Sequence, residues 1–409
     1  MANTFADYQA NMLILLVGGN PLPNYVAAQL LAQPTARLLL VFSQGTRDQC
    51  DNLKKALEKK GYIVKYDDLI EVEESNPADI YRKVEKEVKG RMDSIGLNYT
   101  GGTKAMSVHA YRALEKTDGP AIRYYSYLDA RTLSMWFTNV GGSTWPEPVG
   151  TQVQVSLDNL LLLHGLEKLQ QEMSERVIWP ETTNALAQRC CEPQHKELRD
   201  WYTAKEFNIE KGPNLNLSTD EFPQTIREAL KRDNPSLTFP ASFNDLVMAG
   251  WFQSEDRRTA AGVCGKWFTS TWLEEYIFRQ VQAIQSAQQI NDLKMSIKPA
   301  LGDDDSFEFD VAFMRGYQLF GLSCSAMTRK KELKEKLLEA AVRAAQLGGG
   351  ETCFALVCCA EGDTLQQLRS QLKSLPNLDE RRIRVFGCGD LLNLQACLKD
   401  WIRQASATP

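Results

Sequence analysis

Asn98-Tyr99-Thr100-Gly101-Gly102-Thr103-Lys104-Ala105-Met106-Ser107 joins a strand to a helix. Before it, Ser94-Ile95-Gly96-Leu97 reads as a strand entering a sheet. After it, Ala105, Met106, Val108, Ala110, Tyr111 and Leu114 recur at helical spacing. Gly101 and Gly102 let backbone N–H groups approach a ligand closely. Thr100, Thr103 and Ser107 add hydroxyls, and Lys104 adds a cation beside the positive end of the helix dipole. This chemistry suits a phosphate, or a phosphodiester with polar sugar atoms around it. The spacing matches neither a Walker A loop nor G-x-G-x-x-G. The alternative is a turn whose glycines serve only chain reversal.

Upstream, residues 12–17 form a continuous apolar strand followed by Gly18-Gly19-Asn20-Pro21-Leu22-Pro23-Asn24, with Asn24 as the expected N-cap of a helix reaching Leu31. Residues 38–42 read as a second strand ending in Ser43-Gln44-Gly45-Thr46, where Thr46 caps the next helix. Residues 62–66 read as a third strand, Pro77 opens a helix, and strands follow near 122–128 and 133–137. Strand and helix in alternation predict an α/β domain on a parallel sheet. In such sheets, ligands sit beyond the carboxyl ends of the strands. The expected ligand-binding residues are therefore Gly19, Asn20, Pro21, Leu22, Pro23, Ser43, Gln44, Gly45, Thr46, Thr100, Gly101, Gly102, Thr103, Lys104 and Ser107.

The Gly- and Pro-rich stretch 140–152 sets a domain boundary, giving a first domain at 1–150, a mostly helical connector at 151–262 and a last domain at 263–409. A chain of 409 residues has room for two or three full cores. Its net charge of −5 leaves any nucleic-acid contact to a local patch. No apolar run reaches membrane-spanning length and no basic-then-apolar leader opens the sequence, so a cytoplasmic protein with no membrane contact is expected. The ten cysteines form no C-x-x-C and accompany only three histidines, which gives a structural zinc site little support.

In the last domain, an aromatic-rich helix carries Trp272-Leu273-Glu274-Glu275. A strand carries Glu308-Phe309-Asp310-Val311, and residues 318–324 follow as its hairpin partner. A long helix from Lys330 to Leu347 ends at Gly348-Gly349-Gly350, and further strands and helices complete an α/β/α unit. An acid on a helix, an acid on a strand and E-x-K on the neighbouring strand make a metal-dependent nuclease site. The carboxylates hold Mg²⁺ or Mn²⁺ and the lysine stabilises charge on the reacting phosphate. Glu274 and Asp310 stand where the first two acids belong, as catalytic and metal-ligand candidates. Ser323 and Ser325 stand where the last acid and the lysine are expected. Arg329, Lys330 and Lys331 lie just downstream as substitute cations.

The Pro21-x-Pro23-Asn24 and Asn98-x-Thr100-Gly101-Gly102-Thr103-Lys104 loops resemble CARF domains, the Rossmann-like sensors of cyclic oligoadenylate in type III CRISPR antiviral defence. The Glu274 and Asp310 segments resemble the PD-(D/E)xK domain, restriction-endonuclease-like in fold, that is fused to CARF in the Can and Card nuclease family. The resemblance covers both ends of the chain in the right order and leaves the 180–250 segment unmatched. It implies a homodimer with one shared pocket for cyclic tetra-adenylate or a related ring, controlling a domain that acts on DNA or RNA. With Ser323 and Ser325 in the motif, the expected protein is a sensor whose nuclease-like domain binds without efficient cleavage. A ligand-activated metal-dependent endonuclease is the alternative, and a CARF domain that degrades its own ring is a third reading.

Overall fold

The computed structural model describes residues 5–116, 123–139, 141–166, 177–191, 224–237, 245–246, 249, 263, 266–297, 300–301, 305–306, 308–326, 330–373 and 380–406. Most of the polar connector and the substitute cation Arg329 lie outside the described residues.

The N-terminal sheet contains β1 (Ala10–Leu16), β2 (Ala32–Phe42), β3 (Leu69–Glu71), β4 (Ile95–Asn98), β5 (Arg123–Asp129), β6 (Ser134–Asn139) and β7 (Thr144–Pro148), in the order β3-β2-β1-β4-β5-β6-β7. The first five are parallel, and β6 and β7 extend the edge antiparallel. Residues 12–16 of β1 are buried on both faces, as a central parallel strand requires. Helices α1 (Leu22–Leu31) and α2 (Arg47–Lys59) cover one face, and α3 (Pro77–Val88) and α4 (Lys104–Glu115) cover the other.

Three sequence expectations change. The third strand lies at Leu69–Glu71, because residues 66–68 form a 3₁₀ turn in which Asp68 accepts from the Lys65 amide and pairs with Arg37. Asn24 lies inside α1 rather than at its N-cap, with its side chain fully buried and donating to the Leu16 carbonyl. The stretch read as a boundary loop contains β7, where Pro146 and Pro148 are tolerated because this strand lies on the sheet edge.

Further along come α5 (Leu157–Leu163), α6 (Pro180–Cys191), α7 (Gln224–Asp233), α8 (Trp272–Ile284) and β8 (Ile290–Ile297). After them come the short hairpin β9 (Ala300–Leu301) with β10 (Asp305–Ser306), then β11 (Phe309–Arg315), β12 (Gln318–Ser325) and α9 (Lys330–Gly348). The chain ends with β13 (Cys353–Cys358), α10 (Gly362–Lys373), β14 (Ile383–Phe386), α11 (Cys388–Leu391) and α12 (Leu394–Ser406). The second sheet runs β14-β13-β12-β11-β8, with β11 antiparallel to both neighbours and β12, β13 and β14 parallel. Ile226 and Leu230 of α7 and Leu186 of α6 share a core with Trp272 and Trp401, so this part of the connector packs on the last domain. Another apolar core continues from the α1–α2 side of the first sheet, through Val149, Val153 and Leu157, to the α9–α10 side of the second. Among the described residues, no helix is long and apolar enough to cross a membrane.

Candidate functional site

The loops after β1 and β4 emerge side by side at the carboxyl end of the first sheet, because β4 is the neighbour of β1. They touch through backbone. A Cβ on Gly101 would lie 2.3 Å from the Leu16 carbonyl oxygen, and one on Gly18 would lie 2.8 Å from the Gly102 nitrogen. Gly102 also has a φ of +73°. These glycines are therefore required by the contact between the two loops, whatever else they approach.

Several hydroxyls that the sequence aimed at a ligand are engaged with the fold. Thr100 Oγ1 accepts from the Leu128 amide at 2.8 Å. Thr103 is the N-cap of α4, accepting from the Met106 amide, while its hydroxyl donates to the Glu74 carbonyl. Ser107 donates to the Thr103 carbonyl at 3.2 Å. Ser43 and Thr46 form a capping box around Gln44 and Gly45, which are exposed. Pro21 and Leu22 are buried and Pro23 is half-buried, so their role is to set the loop's shape. Gly19 is exposed, Asn20 is half-buried, and Lys104 is exposed at the first turn of α4. Among the exposed groups, this lysine beside the start of the helix suits an anion.

In the second domain, carboxylate oxygens of Glu274, Glu308 and Asp310 lie within 4.8 Å of one another. Glu274 projects from the first turn of α8 and is buried, as is Asp310 on β11; Glu308 precedes that strand and is exposed. Burial, with Asp310 and Glu308 adding to it, pushes the Glu274 carboxyl up to about 8. Ser296 on β8 lies 3.4 Å from Glu274 and adopts a left-handed φ of +52°, a strained conformation beside the acids. The neighbouring Glu275 is turned elsewhere: it accepts from Trp267 Nε1 at 3.0 Å and from the Ile178 amide. This clamps the connector to α8.

One oxygen of Asp310, Oδ2, accepts from Ser323 Oγ at 3.2 Å, from the Cys324 amide, and from Lys336 Nζ at 3.1 Å. Lys336 comes from α9, which crosses the face of β12 and β13 with Leu333 and Leu337 buried beneath it. Burial alone would lower the Lys336 ammonium pKa, but Asp310 and Glu274 outweigh it and the net shift is upward. So Ser323 does face the acids, as the strand alternation implies, whereas Ser325 is half-buried at the end of β12, opposite Cys358. Lys331 is exposed and lies near Glu335 at 4.0 Å, away from the acids. Sequence reasoning missed two members of the cluster. Glu308 had a signal, since it shares a strand face with Asp310. Lys336 had none, because only the packing of α9 brings it there.

Residues 12–140 match the family described as the Card1 CARF domain. The protein thus joins a CARF-like N-terminal domain to a C-terminal α/β domain, and solved structures share this fold. Can2 from Sulfobacillus thermosulfidooxidans, solved in complex with cyclic tetra-adenylate, aligns over 96% of this chain and 99% of its own, with a TM-score of 0.67 and 19% identity. Protein VC1899 from Vibrio cholerae aligns over 97% of this chain and 99% of its own, with a TM-score of 0.65 and 15% identity. A type III CRISPR defence DNA nuclease activated by cyclic oligoadenylate aligns over 86% of this chain but only 46% of its own, with a TM-score of 0.51 and 17% identity. No curated protein matches the chain.

Proposed function

We propose that this protein is a cyclic-oligoadenylate-gated, metal-dependent endonuclease acting on DNA or RNA, with cyclic tetra-adenylate as the expected ring. The observation that carries this reading is the Lys336 ammonium on Asp310, beside the Glu274 and Glu308 carboxylates. Along β12, Ser323 and Ser325 argue for a domain that binds without cutting. Glu308 and Lys336 supply an acid and an ammonium from other elements, which favours cleavage.

The residues fit a hard dication. The carboxylates of Glu274, Glu308 and Asp310 lie beside the Lys336 ammonium; burial raises the Glu274 carboxyl, with Asp310 and Glu308 adding to it, and a divalent cation would neutralise the acids together. Glu274, Glu308 and Asp310 would hold Mg²⁺ or Mn²⁺, which supplies Lewis-acid activation when bound. Ser323 and the Cys324 amide fix the Asp310 carboxylate by hydrogen bonds, and Lys336 holds positive charge where the phosphate becomes more negative.

In the sensor domain, Lys104 and the start of α4 take the ring phosphates, with Gly19 and Asn20 opposite. A homodimer is part of the proposal. Val108 on α4, Tyr127 on β5 and Trp136 on β6 are 54%, 39% and 38% exposed, and Tyr127 pairs with Trp136 across the strands. Tyr127 also stacks on Tyr99 of the β4–α4 loop at 5.9 Å, and a second copy related by a two-fold axis would cover these exposed side chains and complete a shared pocket.

The test incubates the protein with Mn²⁺ and cyclic tri-, tetra- or hexa-adenylate, following added DNA, added RNA and the ring itself. Cleavage that requires both ring and metal, and disappears in Asp310→Ala, is expected. Ring binding without cleavage under any of these conditions would return the C-terminal domain to a binding role. Light scattering that reports a monomer at ring-saturating concentrations would remove the shared pocket.

A further inference from the structure

The two sites are joined by one helix. At its C-terminal end, α9 runs into Gly348-Gly349-Gly350, which lies directly under the sensor loop. Gly349 has a φ of +69°, and a Cβ there would sit 2.3 Å from Asn20 Nδ2; one on Gly350 would sit 3.3 Å from the Ala130 side chain. The buried Arg382 donates to the carbonyls of Gly350 and Ala130, and at 3.3 Å to that of Arg131. The triglycine is thus tied to the β5–β6 turn and touches the loop after β1, both at the carboxyl edge of the sensor sheet. Three helical turns back along α9, about 18 Å at 1.5 Å per residue, Lys336 rests on Asp310.

Both points lie on or at the end of one unbroken helix, the 19 residues of α9 from Lys330 to Gly348. It rests on the sheet through Leu333, Leu337 and Leu347, while Leu338 and Val342 are exposed. A continuous α-helix is stiff along its axis because each turn is hydrogen-bonded to the next, so a displacement that reaches its end can be carried along it. Resting on the proposed function, we propose that α9 is the rod by which the ring gates cleavage. A ring that displaces Asn20 moves the triglycine, shifts α9 along β12 and β13, and resets Lys336 against Asp310.

The test uses the full chain with two substitutions, one at the triglycine and one midway along α9. Gly349→Ala puts a methyl group against Asn20 and strains the turn; Val342→Gly softens the exposed side of the helix midway. Val342→Gly is expected to bind cyclic tetra-adenylate within about threefold of the unmodified protein, Gly349→Ala is compared at saturating ring, and both should keep their Mn²⁺ affinity in a calorimetric titration. Each should lose about tenfold or more of the stimulation by the ring, within the usual range of an allosteric coupling. Hydrogen exchange gives a readout independent of cleavage: ring binding should change the protection of amides 337–350 in the unmodified protein and much less in Gly349→Ala. Full stimulation in both variants, or unchanged α9 amides on ring binding, overturns the proposal while leaving the sensor and nuclease readings standing. A protein that binds no ring sinks the proposed function and this inference together.

Discussion

Replacing Lys336 by Met tests the acidic centre most directly, because it separates charge from scaffold. Met keeps the length of the side chain over β12 and removes the ammonium that sits 3.1 Å from Asp310. The effect on folding should be modest. Breaking a fully buried pair costs about 3–5 kcal/mol, but the Lys336 side chain is 41% exposed and solvent screens the pair, so about 1 kcal/mol is expected. The effect on cleavage should be larger. A preorganised charge beside the reacting group is worth about 2.7–4 kcal/mol, a loss of about 10²–10³ in rate. Metal binding should move the other way or not at all, since the substitution leaves all three carboxylates in place and removes a competing cation. The assay is single-turnover cleavage at saturating ring and Mn²⁺, paired with a calorimetric Mn²⁺ titration of the same preparation; Lys336→Arg should retain part of the rate. Cleavage within about threefold of the unmodified protein, with metal bound, would refute the role given to Lys336. A rate loss that disappears at higher Mn²⁺ would show instead that Lys336 only organises the acids.

Glu308→Gln should weaken Mn²⁺ by about tenfold or more, since it removes one charged oxygen ligand from a hard-cation site; an unchanged titration would take Glu308 out of the cage. Gly101→Ala should destabilise the sensor domain by about 1–3 kcal/mol, because its Cβ meets the Leu16 backbone rather than a movable side chain; urea melts measure it, and a neutral result would mean that the loops part easily. Glu351 is buried at the domain junction, and burial raises its carboxyl from 4.5 to about 7, partly offset by its own backbone and by Arg382. The folded state therefore holds a proton that the unfolded state has released. Glu351 contributes stability that is fully present below pH 4.5 and is lost as pH rises to about 7, a loss of about 3 kcal/mol at most. Glu351→Gln should flatten that slope in denaturant melts taken across the window, and an unaltered slope would show that the carboxyl titrates normally.

What could be read from the sequence follows from how far each feature depends on distant packing. The β4–loop–α4 unit was legible because its signals are local: a short apolar strand, paired glycines, and Thr103 at the N-cap three residues before the Met106 amide it accepts. The purpose of its hydroxyls was not legible. Whether Thr100 faces a ligand or the Leu128 amide depends on β5, which lies more than twenty residues further along the chain. Asn24 misled for a similar reason. It has the chemistry of a cap, but helix α1 begins two residues earlier and spends that amide on β1. At the acidic centre the contrast is sharper. Asp310 has its place fixed by strand register, since a shift of one residue would turn it to the opposite face, so an acid on β11 can be found by pattern. A lysine has no such constraint. Its long stem needs only to deliver an ammonium within reach of Asp310, and any element that packs across β12 can carry it. Lys336 does so from α9, thirteen residues beyond Ser323. The degenerate reading rests on both Ser323 and Ser325, whereas the ammonium beside Asp310 comes from another element that strand pattern alone does not reach. The acids identify such a site; the lysine has to be located in the fold.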